Sequence, residues 1–299
     1  MGGIGRDEHP RLKVGKAEKL PEHEEYTPEK QERRRARANK PYLPNRLYFN
    51  GEATADAIRH FAEGIGDTNL LFCDEEYAAT TKYKGVIAPP CFLYSVFWVP
   101  LGSGAAGIHG WYSGGEWECY RPVYAGDKFS VVCILRDLVE KKGRMAGGKS
   151  IFIDYTDVVY VNQRNEVVAK ERQHTVWAPR SSSGSAGKYR KTAQPVYGRD
   201  DWKRILEGYE KEEVRGKEPR FWEDVKVGNT VGPMIKGPLT VRDIIAWLMG
   251  AGSPFFRAHK IEYDFESRHP KALEYVEETG EADVPELVHI FDAFARAIG

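Results

Sequence analysis

The stretch of this chain whose residue types and spacing point to chemistry is 66-GDTNLLFCD-74. It holds a carboxylate at Asp67, an amide at Asn69 and a second carboxylate at Asp74. A carboxylate and an amide on one loop can orient a water and take a proton from it, which is general acid–base chemistry. At position 72 the same stretch has Phe72, an apolar ring with no proton to exchange. Shortly after comes 86-VIAPPCFL-93, an apolar segment suited to walling such a site.

Other motifs carry less. The string 102-GSGAAG-107 spells G-x-G-x-x-G, but Pro100 precedes it and 108-IHGWYSGGE-116 follows, so the strand–turn–helix setting of a dinucleotide site is missing. There is no G-x-S-x-G, H-E-x-x-H or P-loop, and no His/Asp/Glu cluster has metal-ligand spacing. No metal and no cofactor is expected. The cysteines Cys73, Cys91, Cys119 and Cys133 form no C-x-x-C and read as reduced, mostly buried thiols. The basic run 33-RRRAR-37 lies among Glu29 and Glu32 and reads as a solvated helix face.

The proton-handling loop must be held by neighbouring elements. In 54-TADAIRHFAEGIG-66, Ile58, Phe61, Ala62 and Ile65 recur at helical spacing, with Thr54 as N-cap and Gly66 as the stop. Downstream, 115–123, 128–141, 149–162 and 166–178 read as strands separated by the turns 125-AGD-127, 143-GRMAGG-148 and 162-NQRNE-166. Within the third, Ile151, Ile153 and Tyr155 alternate with Phe152, Asp154 and Thr156, the pattern of a half-buried antiparallel sheet. The fold class is therefore α+β. A charged arm occupies 1–42, the first domain 43–180, and a linker with a helix 181–218, beginning with the flexible 181-SSSGSAG-187. In that helix Trp202, Ile205, Leu206 and Tyr209 form one face. The last segment, 219–299, repeats the opening of the first domain: a strand-like lead-in, then a helix capped by Thr240 and carrying Ile244, Ile245, Trp247 and Leu248.

These spaced motifs resemble the MaoC-like (R)-specific enoyl-CoA hydratase/dehydratase family. Its G-D-x-N-P-x-H-x-D loop is matched here at Gly66, Asp67, Asn69 and Asp74, and its following segment at Tyr77, Ala78, Gly85, Ile87 and Ala88. The chain departs at Leu70, where the family has proline, and at Phe72, where it has the catalytic histidine. The segments 121-RPVYAGDKF-129, 143-GRMAGGKSIFI-153 and 166-EVVAKERQHTVWAPR-180 extend the likeness, so it covers about 43–180 in order. An aromatic at 72 with A-P-P nearby is similar to the N-terminal half of double hot-dog dehydratases. The segments 221-FWEDVKVGN-229 and 237-GPLTVRDIIAW-247 are similar to their C-terminal half, and 285-PELVHIFDAFARAIG-299 looks like that half's P-x-H-x-D run.

The resemblance implies a hot-dog fold, an antiparallel sheet wrapped around a central helix, in a double arrangement whose second repeat is incomplete. It implies hydration or dehydration at the α,β double bond of an acyl-CoA thioester, with Asp67 and Asn69 holding water and His289 as the candidate base. Phe72, Ile87, Ala88, Pro89, Pro90, Cys91 and His259 are the implied substrate contacts, and 86–93 with 112-YSGGEWE-118 the implied walls of an acyl tunnel. The alternative is a non-catalytic acyl-CoA-binding subunit of a heteromeric hydratase, which Phe72 favours. A thioesterase on the same fold ranks behind both.

Composition limits the partners. Lys plus Arg and Asp plus Glu number 44 each, so net charge points to neither nucleic acid nor a membrane surface. No run approaches the ~20 apolar residues of a membrane span, and the first residues are polar, so a cytoplasmic location is expected. The chain ends where the family continues into a second sheet. A stripe left uncovered costs ~25 cal/mol per Å² of apolar area. The expectation is a homo- or hetero-oligomer in which another chain supplies the missing strands, or a truncated piece of a longer protein.

Overall fold

The four strands expected after residue 108 form one antiparallel sheet in the computed structural model of the chain. The structure describes residues 26–44, 48–98, 108–142, 150–179, 195–213, 215–218, 220–253, 256–269, 273–276, 281–292 and 295. The 102–107 glycine string, the 143–148 turn and the 181–187 linker lie outside the described residues. Strands β1 (Pro41–Tyr42), β2 (Ile108–Cys119), β3 (Phe129–Lys142), β4 (Ser150–Asn162) and β5 (Val167–Pro179) are ordered β1-β3-β4-β5-β2. β2 starts earlier than its glycines suggested. Those glycines admit side chains from β5: a Cβ at Gly110 would lie 2.4 Å from the Trp177 ring.

The sheet curves over helix α2 (Ala55–Gly64). Thr54 caps that helix as predicted, its Oγ1 accepting the Ala57 N–H at 3.1 Å. Ile58, Phe61 and Ala62 of α2 share one core cluster with Val131, Cys133, Val158, Tyr160 and Ala169 of the sheet. A helix wrapped by an antiparallel sheet is the hot-dog arrangement.

Past that cluster the covered face of the sheet turns polar. Asp154, Thr156, Glu171, Gln173 and Thr175 are all buried, and beyond them lies a second cluster of Tyr26, Ile108, Leu138, Phe152 and Trp177. Helix α1 (Pro28–Arg35) bears on this strip, and Arg34 pairs with Asp154. This corrects the reading of 33-RRRAR-37 as a solvated face. Arg33, Arg35 and Arg37 are exposed, but Arg34 is buried because the sheet offers it a carboxylate. The cysteines also need correction: Cys133 is buried, whereas Cys73, Cys91 and Cys119 are exposed.

Helices α3 (Leu70–Cys73), α4 (Glu75–Thr80) and α5 (Leu93–Val96) follow α2 in the chain. After the sheet come α6 (Arg199–Glu210), α7 (Val241–Ala251), α8 (Lys260–Arg268) and a small hairpin, β6 (Glu274–Val276) with β7 (Glu281–Asp283). The strand-like lead-in expected before α7 is instead a 3-10 turn at Trp222–Asp224 followed by irregular chain. Among the described residues nothing pairs with it as a strand, and Phe221, Trp222, Val225 and Val227 are exposed. Among those residues, no helix is long and apolar enough to cross a membrane.

Helix α7 packs against α2. Thr240 caps it reciprocally with Asp243, whose Oδ2 accepts the Thr240 N–H at 2.7 Å. Trp247 meets Phe61 edge-on at 5.6 Å, and Gly250 brings the two backbones together. Its outer stripe, Val241, Ile245 and Met249, stays exposed. A Cβ at Gly250 would lie 2.4 Å from the His60 carbonyl oxygen and 2.7 Å from Phe61 Cα, and backbone cannot rotate aside. Gly250→Ala is therefore expected to lower stability by about 1–3 kcal/mol despite alanine's better helix propensity. An unchanged melting temperature would show that α2 and α7 do not touch in solution.

Candidate functional site

The 66–74 loop is built by turn chemistry. Gly66 adopts φ 64°, and the Gly66 and Asp67 N–H groups donate back to Glu63 O and Ala62 O, closing α2. Lys236, from the chain leading to α7, donates to Gly66 O at 2.8 Å. Asp67 Oδ1 then accepts the Asn69 N–H at 2.9 Å, Asn69 Oδ1 the Leu71 N–H at 3.1 Å, and Asp74 Oδ1 the Tyr77 N–H at 2.8 Å. Asp67, Asn69 and Asp74 thus each hold nearby backbone, Asn69 as cap of α3 and Asp74 as cap of α4.

Phe72 is 7% exposed and belongs to the main core. The step from Leu70 to Cys73 is a single helical turn, which rolls position 72 inward beneath α2 while Asn69 stays exposed. A histidine there would sit among apolar groups. Phe72→His is expected to cost about 1–3 kcal/mol of stability in a denaturant titration. The same variant is expected to create no hydration of enoyl-CoA, and a gain of turnover would count against this reading of the loop.

The segment 86–93 lies against this loop. Ile87 N–H donates to Leu71 O, and Ala88 N–H to Val123 O at 2.8 Å. Ile87, Ala88 and Pro89 are buried, whereas Pro90 and Cys91 are exposed at the start of the 3-10 turn Pro90–Phe92. Desolvation, and then the charge of Asp67, hold the Cys91 thiol above its ordinary pKa. So Asp67, Asn69, Phe72 and the 87–91 residues are brought together.

His259 and His289 belong elsewhere. His259, at φ 56°, opens α8 and lines a cavity of about 460 Å³ with Phe256, Arg257, Glu262, Tyr263, Glu266, Asp283 and Leu287, none of them from the 66–93 region. His289 ends the 3-10 turn Pro285–His289 and is exposed. No group of three or more His, Cys, Asp or Glu side chains among the described residues could hold a metal ion.

A second array of functional groups was not anticipated from sequence. Two residues of the 112–118 segment meet Tyr94, which follows the 86–93 segment: Trp117 Nε1–H donates to Tyr94 Oη at 2.8 Å, and Tyr94 Oη lies 2.9 Å from Tyr112 Oη. Tyr112 in turn donates to Glu171 Oε1 at 3.1 Å. Glu171 is 2% exposed, and burial pushes its pKa up to about 7, the Tyr112 hydrogen bond opposing the shift only in part. A carboxyl poised near neutrality can accept or release a proton, which suits general acid–base work. The sequence signal was the pair Gly114–Gly115 inside a strand, a mark of close approach by a neighbour.

Residues 49–171 match the family model described as "FAS1-like, dehydratase domain region". A UPF0336 protein of Streptomyces coelicolor is 30% identical over 147 residues, covering 46% of this chain and 85% of that protein. A protein of Thermomonospora curvata named "Probable enoyl-CoA hydratase alpha subunit" is 32% identical over 136 residues, 38% of this chain and 41% of its own length. A solved MaoC-like dehydratase superposes with a TM-score of 0.49 at 20% identity, covering 78% of this chain and 70% of that one. The family match, the S. coelicolor relative and the 66–88 loop agree, and the chain belongs to the MaoC-like hydratase/dehydratase family, carrying its fatty-acid-synthase-type dehydratase region.

Proposed function

We propose that this chain binds acyl-CoA thioesters and acts as the substrate-holding half of an enoyl-CoA hydratase/dehydratase. In this reading the base comes from a partner chain with an intact Asp-x4-His motif. One observation carries the proposal. At the position where the family has histidine, Phe72 is closed into the core, while an oxygen of Asp67 and that of Asn69 are engaged by backbone N–H groups. Adding water to an enoyl thioester needs a base for the water, an acid for Cα and donors for the enolate oxygen. The loop supplies a carboxylate and an amide but not the family's histidine. The uncovered stripe of α7 supports a partner that supplies strands as well as chemistry.

The test is an assay of the purified chain on a short-chain enoyl-CoA, following loss of absorbance of the conjugated thioester. We expect binding without turnover by the chain alone, and turnover on adding a MaoC-like partner that carries the histidine. Full activity of the single chain would overturn the proposal in favour of a self-sufficient hydratase. The 285–299 run, with His289 exposed at the end of its 3-10 turn, supports that second reading. It predicts that His289→Ala abolishes the single chain's activity; unchanged activity removes His289 from the mechanism.

A further inference from the structure

Glu171 sits under the edge strand β2, close against Gly115. A Cβ at position 115 would lie 2.4 Å from Glu171 Oε1 and 2.8 Å from Tyr112 Oη. Gly115 is exposed, and Tyr94 and Tyr112 are half-buried, so the array runs from the interior to the surface. Beside Glu171 on the same face, Gln173 is 1% exposed and its Oε1 has no partner among the described residues. A buried acceptor left open next to a buried acid is unusual for a purely structural strip.

Counting protons along the array gives two states. With Glu171 ionised, Tyr112 donates to the carboxylate, so the proton between the two hydroxyls is Tyr94's and both O–H groups point inward. With Glu171 protonated, the carboxyl O–H can donate to Tyr112, and Tyr112 then donates to Tyr94. Tyr94 Oη, already accepting from Trp117, fills its second lone pair and turns its own O–H outward. One proton on a buried carboxyl therefore decides whether a hydrogen-bond donor is offered at the surface.

We propose that Trp117, Tyr94, Tyr112 and Glu171 form a switchable donor that holds the carbonyl oxygen of an acyl thioester on the Tyr94 hydroxyl when Glu171 carries its proton. The ligand class rests on the acyl-thioester reading above. The groups facing Glu171 are Tyr112 and Trp117 of β2, Val158 and Tyr160 of β4, Gln173 of its own strand and, through Tyr112, Tyr94 of α5. Cys133 of β3 acts electrostatically on Tyr160. Burial, first, holds Tyr112 and Tyr160 above the ordinary tyrosine range, so both keep their protons near neutrality. Lys170 and Arg172 leave β5 on the opposite face and pair with Asp157.

The experiment is calorimetric binding of hexanoyl-CoA, a saturated thioester that cannot be hydrated, at about pH 5.5 and about pH 8.5. Free coenzyme A serves as control for its own titrating phosphate. The wild type is expected to bind hexanoyl-CoA about tenfold more weakly at the higher pH, a step absent for free coenzyme A. Tyr94→Phe is expected to lose about tenfold at the lower pH and to show no step. Glu171→Gln, whose amide N–H always donates, is expected to bind tightly at both. Should that variant fail to fold, Tyr112→Phe removes the inward acceptor of the Tyr94 O–H and is expected to bind tightly at both, without a step. Wild-type binding with no step, or a step that survives in Glu171→Gln or Tyr112→Phe, overturns the switch alone. No binding of hexanoyl-CoA at all overturns the acyl-thioester reading and this ligand with it.

Discussion

Arg34→Met is expected to destabilise the folded chain by about 3–5 kcal/mol, the cost of leaving one member of a buried ion pair alone. The pair is enclosed: the Arg34 and Asp154 side chains are 4% and 2% exposed. Arg34 Nε donates to Asp154 Oδ2 at 2.9 Å, and a terminal guanidinium nitrogen donates to the same oxygen. Asp154 Oδ1 accepts from Thr156 Oγ1 at 2.7 Å. Removing Arg34 leaves a carboxylate under α1 without its counter-charge. Because the penalty comes from the stranded charge, Arg34→Met with Asp154→Leu is expected to recover most of the loss. Urea titration of the two variants against wild type measures both effects. A loss below about 1 kcal/mol for Arg34→Met would mean that α1 is undocked in solution.

The second large effect is a pH dependence. Glu171 holds its proton more tightly in the folded chain, with a pKa of about 7 against an ordinary 4.5. The sign follows from linkage: between those values the native state keeps a proton that the unfolded state has released. Stability from this group is therefore full below about 4.5, falls as pH rises, and is lost once pH passes about 7. At about 1.4 kcal/mol per pKa unit the total is about 3 kcal/mol. Other carboxyls titrate in the same window, so the quantity to measure is the wild-type urea stability minus that of Glu171→Gln. That difference is expected to decline from about pH 5 to about pH 8, and a flat difference would show that Glu171 is ionised throughout.

The local rules were legible because they involve residues close in sequence. Thr54 and Thr240 cap their helices because a side-chain oxygen meets an amide three residues on or forms a reciprocal pair. The 66–74 loop announced its turn chemistry through Gly, Asp and Asn, and its family through their spacing. The lead-in before α7 failed because its apolar residues suggested a strand, and a strand exists only where a second one completes the ladder.

What the sequence by itself determined is the α+β class, the helix that the sheet wraps, the family, and the absence of a histidine from the 66–74 loop. The tertiary structure decided which face of each strand turns inward. In β4 the side chains alternate with period two, so once Val158 and Tyr160 enter the core, Asp154 and Thr156 must follow them, and Ile151, Ile153 and Tyr155 remain only half-buried. Hydrophobicity alone would have turned that strand the other way. Arg34, distant in sequence, offsets one inward charge, whereas Glu171 meets the Tyr112 hydroxyl of β2 and, through it, Tyr94 of α5, close against Gly115. The 66–74 loop was visible because its parts are neighbours in the chain; the Glu171 array was not, because only the folded sheet makes its members neighbours.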